Sequence, residues 1–179
     1  GNIRHYAASI EKLKKVVEAR PGEEIFGMTM MVSKGKTILV ADTNVQDFPS
    51  AERLINVSKS CVRVARLFGF DPKVAFLSHS TFGKPISKNT KHVRDAIEKL
   101  KKEKVDFDFD GEMQPDVALN PIYQEIYPFS KIVGNANILI MPALHSAAIS
   151  TKLMKVFGGG KLIGPLLIGL GLPIEVAPL

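Results

Sequence analysis

The chain has 179 residues, with 24 Lys and Arg against 18 Asp and Glu, a single Cys and no Trp. That length supports one ordinary domain or two small lobes, and 45% hydrophobic with 23% charged residues is ordinary globular usage, which excludes a disordered chain. No apolar run approaches the roughly 20 residues that a membrane helix needs. The lone Cys61 excludes a disulfide framework or an all-Cys metal site and suits a reducing cytoplasm.

Ile3, Tyr6, Ile10, Leu13 and Val17 recur at helical spacing up to Arg20-Pro21-Gly22, which predicts an amphipathic first helix. Ile25 to Val32 and Thr37 to Ala41, joined by Ser33-Lys34-Gly35-Lys36, read as an antiparallel strand pair. Ser50 caps a second helix with Leu54, Val57, Val62 and Ala65 on its apolar face, Cys61 on or near the buried side and a stop at Gly69. Lys73 to Leu77 is a short buried strand. Beyond it come a helix around Val93 to Leu100, a strand around Phe107 to Phe109 and a short helix near Ile122. A strand at Ile138 to Met141 and a helix from about Ser146 to Phe157 complete the alternation, which predicts a layered α/β fold whose sheet is not purely parallel.

The net charge of +6 falls mostly in helical lysine runs, Lys12, Lys14, Lys15 and Lys99, Lys101, Lys102, Lys104, which read as solvated faces. Aromatic residues make up 7% and sit mostly in apolar strands, so no basic and aromatic surface for nucleic acid is expected. The glycines of Gly158-Gly159-Gly160 and Gly164 to Gly171 lack the spacing of a dinucleotide fingerprint. The apolar stretch from Leu162 to Leu172 reads as core with an interface at its edge.

Three polar segments could carry chemistry. Ser78, His79, Ser80, Thr81 and Lys84 follow a predicted strand, where the ligand crevice of an α/β sheet lies, and could hold a phosphate or an acyl oxygen. His79 has no assignable Asp partner and reads more readily as a loop residue than as a base. Asp108 to Asp116, with Glu112 and Gln114, could orient a hydroxyl or bind a cation. Its spacing is not that of an EF-hand, and Asp caps with a turn at Gly111 explain it more simply. His145 and Ser146 stand where a strand leads into a helix, so that backbone N–H groups could meet an anion, with Ser146 equally explained as the helix cap. A nucleophilic Cys61 is not supported inside a helix.

The ordered blocks Phe26-Gly27-Met28-Thr29, Ala41-Asp42-Thr43, Pro49-Ser50-Ala51-Glu52, Leu77 to Gly83, Asp110 to Asp116, Ala136 to Pro142 and Gly164-Pro165 through Ile174 resemble the phosphate acetyl/butyryltransferase family across nearly the whole chain. Ser78-His79-Ser80, Asp110-Gly111-Glu112-Met113 and the ending Pro173 to Leu179 look most like the phosphotransacetylase-like C-terminal domain of hybrid bacterial NADP-dependent malic enzymes.

That resemblance implies a layered α/β/α fold of the isocitrate and isopropylmalate dehydrogenase kind, with a mixed, mostly parallel sheet incomplete at both ends. It implies one phosphotransacetylase-like fragment over 1–179, with a smaller first-lobe remnant at 1–41. Malate oxidation, NADP and a divalent metal would belong to a separate N-terminal part. This chain would form a homodimer and bind acetyl-CoA or CoA as an effector, with Ser78, His79, Ser80, Thr81, Lys84, Glu112, Gln114, His145 and Ser146 as the ligand-binding set.

The departures weigh against catalysis. The family's Ser-Arg pair is replaced by Pro178 and Leu179, which neither take a proton nor bind an anion, and Ala143 and Ala148 stand where the family has Asp and Asn. A start at Gly1 and an apolar end suggest a piece of a longer polypeptide. An active phosphate acyltransferase and a purely structural dimerisation module remain the alternatives.

Overall fold

The computed structural model describes residues 12–13, 16–42, 48–171 and 174–175. Seven strands form one mixed sheet: β1 (Phe26–Ser33), β2 (Lys36–Ala41), β3 (Lys73–Leu77), β4 (Asp108–Met113), β5 (Ile138–Ile140), β6 (Lys161–Ile168) and β7 (Ile174–Glu175). Among the described residues four bounded α-helices accompany them: α1 (Ala51–Leu67), α2 (Lys91–Glu103), α3 (Pro115–Leu119) and α4 (Leu144–Phe157). The strand order is β4-β3-β5-β2-β1-β6-β7. The contacts β4–β3, β3–β5 and β5–β2 are parallel, and β2–β1, β1–β6 and β6–β7 are antiparallel. Five of the seven strands therefore share a direction, the mixed and mostly parallel sheet that was expected.

The β1–β2 turn closes with Ser33 opposite Lys36. Lys34 and Gly35 both have positive φ, 49° and 75°. This is the two-residue geometry whose twist matches the flanking strands. In the parallel half, alternate side chains enter opposite cores, as the period of two requires. Leu39, Val74, Phe76, Ile138 and Ile140 face α1 and α2, while Val40, Ala75, Leu77 and Leu139 face Val117, Ala118, Ile132, Val133 and Ala147. The chain moves along the sheet in one direction from β2 through α1 to β3 and through α2 to β4, then reverses to reach β5. Helices α1 and α2 pack on one face of the sheet and the 115–136 segment on the other.

Helix α1 begins where Ser50 Oγ accepts from the Arg53 N–H at 3.2 Å. It ends at Gly69, whose φ is 79°. Only glycine adopts that conformation without strain. Leu54, Ile55, Val57, Cys61, Val62 and Ala65 are buried along the helix. Full burial of an aliphatic side chain contributes about 1.5–3 kcal/mol. The cations run along exposed faces in ion pairs such as Lys59–Glu103 and Lys99–Glu52.

Three local expectations change. The strand expected at Phe107 to Phe109 is β4 and runs to Met113, so Gly111 lies inside a strand and makes no turn. Helix α4 begins at Leu144, with Ala143 at its cap position and no side-chain cap bond, so Ser146 lies within the first turn and does not cap it. The short helix near Ile122 is a 3-10 turn at Pro121–Gln124, preceded by α3. The stretch from Leu162 forms strand β6; Leu167, and Leu170 just beyond the strand, are buried as the expected core, and Ile163 is 45% exposed. The first predicted helix lies mostly outside the described residues, as do Pro178 and Leu179.

Candidate functional site at the carboxyl edge

The connection leaving β3 turns toward β4, and the one leaving β5 runs through α4 toward β6 on the other side. The neighbouring strands β3 and β5 thus form the point of reversal where α/β sheets open a crevice at their carboxyl ends. The loops that follow them are 78–90 and 141–143. His92 Nε2 at the start of α2 lies 3.1 Å from Pro142 O and ties the two sides of this crevice together.

Beneath the 78–90 loop lies a buried polar cluster. Ser80, with no exposed surface, donates its hydroxyl to Glu112 Oε1 at 2.7 Å, and Glu112 is itself 1% exposed. Arg94 Nη1 reaches both Glu112 oxygens at 3.3 and 3.5 Å, and its Nη2 donates to Ser87 O at 2.7 Å. Arg94 also donates to Thr90 Oγ1, whose hydroxyl in turn donates to Ser87 O at 3.1 Å. A carboxylate buried this deeply needs a cation and hydrogen bonds to offset its lost hydration, and Arg94 with Ser80 supplies both. Ser78 Oγ lies 3.2 Å from Ser80 Oγ and accepts from the Ser80 N–H at 3.3 Å.

Thr81 and Lys84 form a two-residue turn through paired 3.0 Å backbone bonds, with Phe82 and Gly83 at φ 49° and 79°. The left-handed conformation is costly for a bulky side chain. Phe82 is held there by its N–H bond to Glu112 O at 2.7 Å and by ring contacts to Tyr127 and Phe129 at 5.2 and 4.8 Å. Thr81 Oγ1 accepts from the Gln114 N–H at 3.2 Å, and the Gln114 side chain donates to His79 O at 2.7 Å. The His79 and Lys84 side chains project into solvent, and among the described residues neither enters an ion pair.

Seven of the nine residues singled out from sequence, Ser78, His79, Ser80, Thr81, Lys84, Glu112 and Gln114, are therefore drawn together by hydrogen bonds. His145 and Ser146 stand in the first turn of α4 and make no hydrogen bond to that cluster; the exposed His145 ring packs 6.0 Å from Phe48. Sequence reading missed Arg94 and His92. Their signal is indirect: Glu112 occupies a buried strand position and demands a cation, but only the packing of α2 on the sheet shows which one.

Other features of the molecule offer less chemistry. Cys61 is fully buried, and burial, reinforced by the negative charge of Asp42, pushes its thiol far above the ordinary thiol range. A thiol held protonated is no nucleophile. Among the described residues no group of three or more His, Cys, Asp or Glu could hold a metal ion, and no helix is long and apolar enough to cross a membrane. Gly158 and Gly160 connect α4 to β6, where an added Cβ would strike Met154 O and Ser33; they line no strand-to-helix turn for a dinucleotide. A cleft of about 420 Å3 lies at the opposite, amino-terminal edge of β3 and β4, and its cation Arg66 is already matched by Asp106.

Comparison with known proteins agrees with this fold. The chain is 42% identical over 177 residues to an NADP-dependent malic enzyme of Rhizobium meliloti, an alignment that takes in 99% of this chain and 23% of that enzyme. It is 28% identical over 177 residues to a phosphate acetyltransferase of Bacillus subtilis, covering 98% of this chain and 55% of that protein. The crystal structure of a phosphotransacetylase from Streptococcus pyogenes superposes with a TM-score of 0.86 at 30% identity, covering 94% of this chain and 52% of that one. The chain thus spans from about a quarter to about half of these relatives. The family described as Phosphate acetyl/butaryl transferase matches residues 1–178, and the chain belongs to that family.

Proposed function

We propose that this chain is the phosphotransacetylase-like regulatory part of an NADP-dependent malic enzyme, that it binds acetyl-CoA at the carboxyl edge, and that it does not itself transfer acyl groups. The observation that carries the reading is the 42% identity to a malic enzyme across 99% of this chain. In this reading the oxidative decarboxylation of malate, with NADP and a divalent metal, belongs to the remainder of a cytoplasmic polypeptide. The silent character rests on Pro178 and Leu179, which stand where the resemblance calls for Ser and Arg. Binding needs no nucleophile. The Lys84 side chain, the loop backbone and the hydroxyls of 78–81 can hold an ester of CoA without one. The reading also pairs two copies of the chain, supported by the apolar stripe of α4, where Ile149, Leu153, Val156 and Phe157 are all more than half exposed.

The test is calorimetric titration of the full-length polypeptide with acetyl-CoA, alongside assays of malate oxidation and of acetyl phosphate formation. Expected are saturable binding, a change in malate turnover with acetyl-CoA that is lost when this segment is deleted, and no acetyl phosphate. Coupling of regulatory size, about 1–3 kcal/mol, corresponds to a change in affinity between states of roughly 5- to 150-fold. CoA-dependent acetyl phosphate formation would establish an active acyltransferase instead. Absence of any CoA-ester binding would leave a purely structural dimerisation module.

A further inference from the structure

The hydroxyls at the carboxyl edge are not free to turn. A carboxylate has no proton to offer, so Glu112, paired with Arg94, only accepts. The 2.7 Å contact therefore commits the one proton of Ser80 to Glu112. Ser80 Oγ then has only lone pairs for Ser78, so in the 3.2 Å contact between the two hydroxyls the donor is Ser78. Ser78 Oγ, its proton committed, also accepts from the Ser80 N–H. Each proton points inward, from Ser78 to Ser80 to Glu112. Of these three residues Ser78 is the nearest to solvent, 6% exposed against 0% for Ser80 and 1% for Glu112.

We infer that Glu112, held by Arg94, sets the direction of this hydroxyl chain, so that Ser78 meets a ligand as a hydrogen-bond acceptor and selects groups that donate. The inference rests on the acyl-CoA reading for the identity of the ligand and deepens it. The amide and hydroxyl groups of the pantetheine arm are donors and suit Ser78. Phosphate oxygens carrying no proton are acceptors and do not, so they fall to Lys84 and the loop N–H groups. Glu112 and Arg94 are thus positioning residues that act through Ser80 without touching the ligand. A simple phosphate cradle of serine hydroxyls, the obvious reading of Ser78-His79-Ser80-Thr81, is incompatible with this proton order.

Neutron diffraction from deuterium-exchanged crystals of the protein reads the order directly. The expected result places the Ser78 deuteron toward Ser80 and the Ser80 deuteron toward Glu112; a Ser78 deuteron directed at solvent overturns the inference. Binding gives a second readout, with pantetheine as the donor-bearing probe and sulfate, which carries no proton at neutral pH, as the acceptor-only probe. Ser78→Ala is expected to weaken pantetheine roughly five- to tenfold, the size of one hydrogen bond, and to leave sulfate unchanged. Ser80→Ala frees the Ser78 proton and is expected to weaken pantetheine while strengthening sulfate. Equal loss of both probes in Ser78→Ala, or loss of sulfate in Ser80→Ala, overturns the inference. Should acetyl-CoA fail to bind the wild-type polypeptide while the deuterons still run inward, the acyl-CoA reading falls and the proton order stands.

Discussion

Gly111 fixes where the Glu112 carboxylate sits. Its φ is 144°, and a Cβ there would lie 2.6 Å from Phe76 O and 3.1 Å from Phe76 Cβ on the adjoining strand. Both the backbone conformation and the close strand contact require glycine. Gly111→Ala is expected to cost about 1–3 kcal/mol, measured by urea denaturation, and to weaken acetyl-CoA binding because Glu112 shifts with the strand. The glycine was legible in the sequence, but as a turn, because a Gly between carboxylates is the ordinary signature of one. Only its pairing opposite Phe76 in β3 shows it inside a strand. Cys61 gives a second expectation at this scale. In the native protein a thiol reagent should leave it unmodified, and in denaturant the same reagent should modify it fully, since burial withholds both access and the thiolate. Rapid native labelling would contradict the buried placement.

The start of α1 is held by charge as well as by its cap. Arg53 Nη2 bonds Asp42 Oδ2 at 2.9 Å and Ile25 O at 2.8 Å, its Nη1 pairs with Glu24, and Asp42 Oδ1 accepts from the Gly27 N–H at 3.0 Å. One guanidinium thereby joins the end of β2, the approach to β1 and the first turn of α1. Arg53→Met would strip the buried Asp42 of this ion pair and is expected to cost about 3–5 kcal/mol in chemical denaturation. At the other end of α1, Arg66 binds the exposed Asp106 at 3.0 Å, and that hydrogen bond holds the Asp106 carboxyl below its ordinary range. A lowered carboxyl stabilises the fold above the unfolded Asp pKa of about 3.9 and loses that contribution as pH falls through the lower folded value. Stability curves of wild type and Asp106→Asn should therefore differ at neutral pH and converge in acid. The helix and its Ser50 cap were readable from local spacing. The Arg53 and Arg66 pairs were not, because each joins residues that only the packed sheet brings together.

Across the whole molecule, α4 differs from α1 and α2. Only Ala147 is buried along it, while Ile149, Leu153, Val156 and Phe157 repeat at helical spacing on the exposed side. Leu153→Lys combined with Val156→Glu should shift the sedimentation of the full polypeptide toward smaller species without lowering its thermal stability in the dissociated form; unchanged sedimentation would remove α4 from any interface. The sequence alone was enough for the α/β class, for the antiparallel β1–β2 pair and for the ordered motifs that carry the family. Those features follow from short-range periodicity, turn chemistry and residues adjacent in the chain. It also brought Ser78, Ser80, Thr81, Glu112 and Gln114 forward, because polar residues after apolar strands stand out locally. Tertiary structure alone decided that β4 runs through Asp108 to Met113, that α4 begins without a side-chain cap, and that Arg94 and His92 belong to the site. It alone also brought Ser78, Ser80 and Glu112 within hydrogen-bonding distance of one another. These depend on strand order and helix packing, which place groups distant in sequence within hydrogen-bonding distance, and no local pattern encodes which pairs will meet.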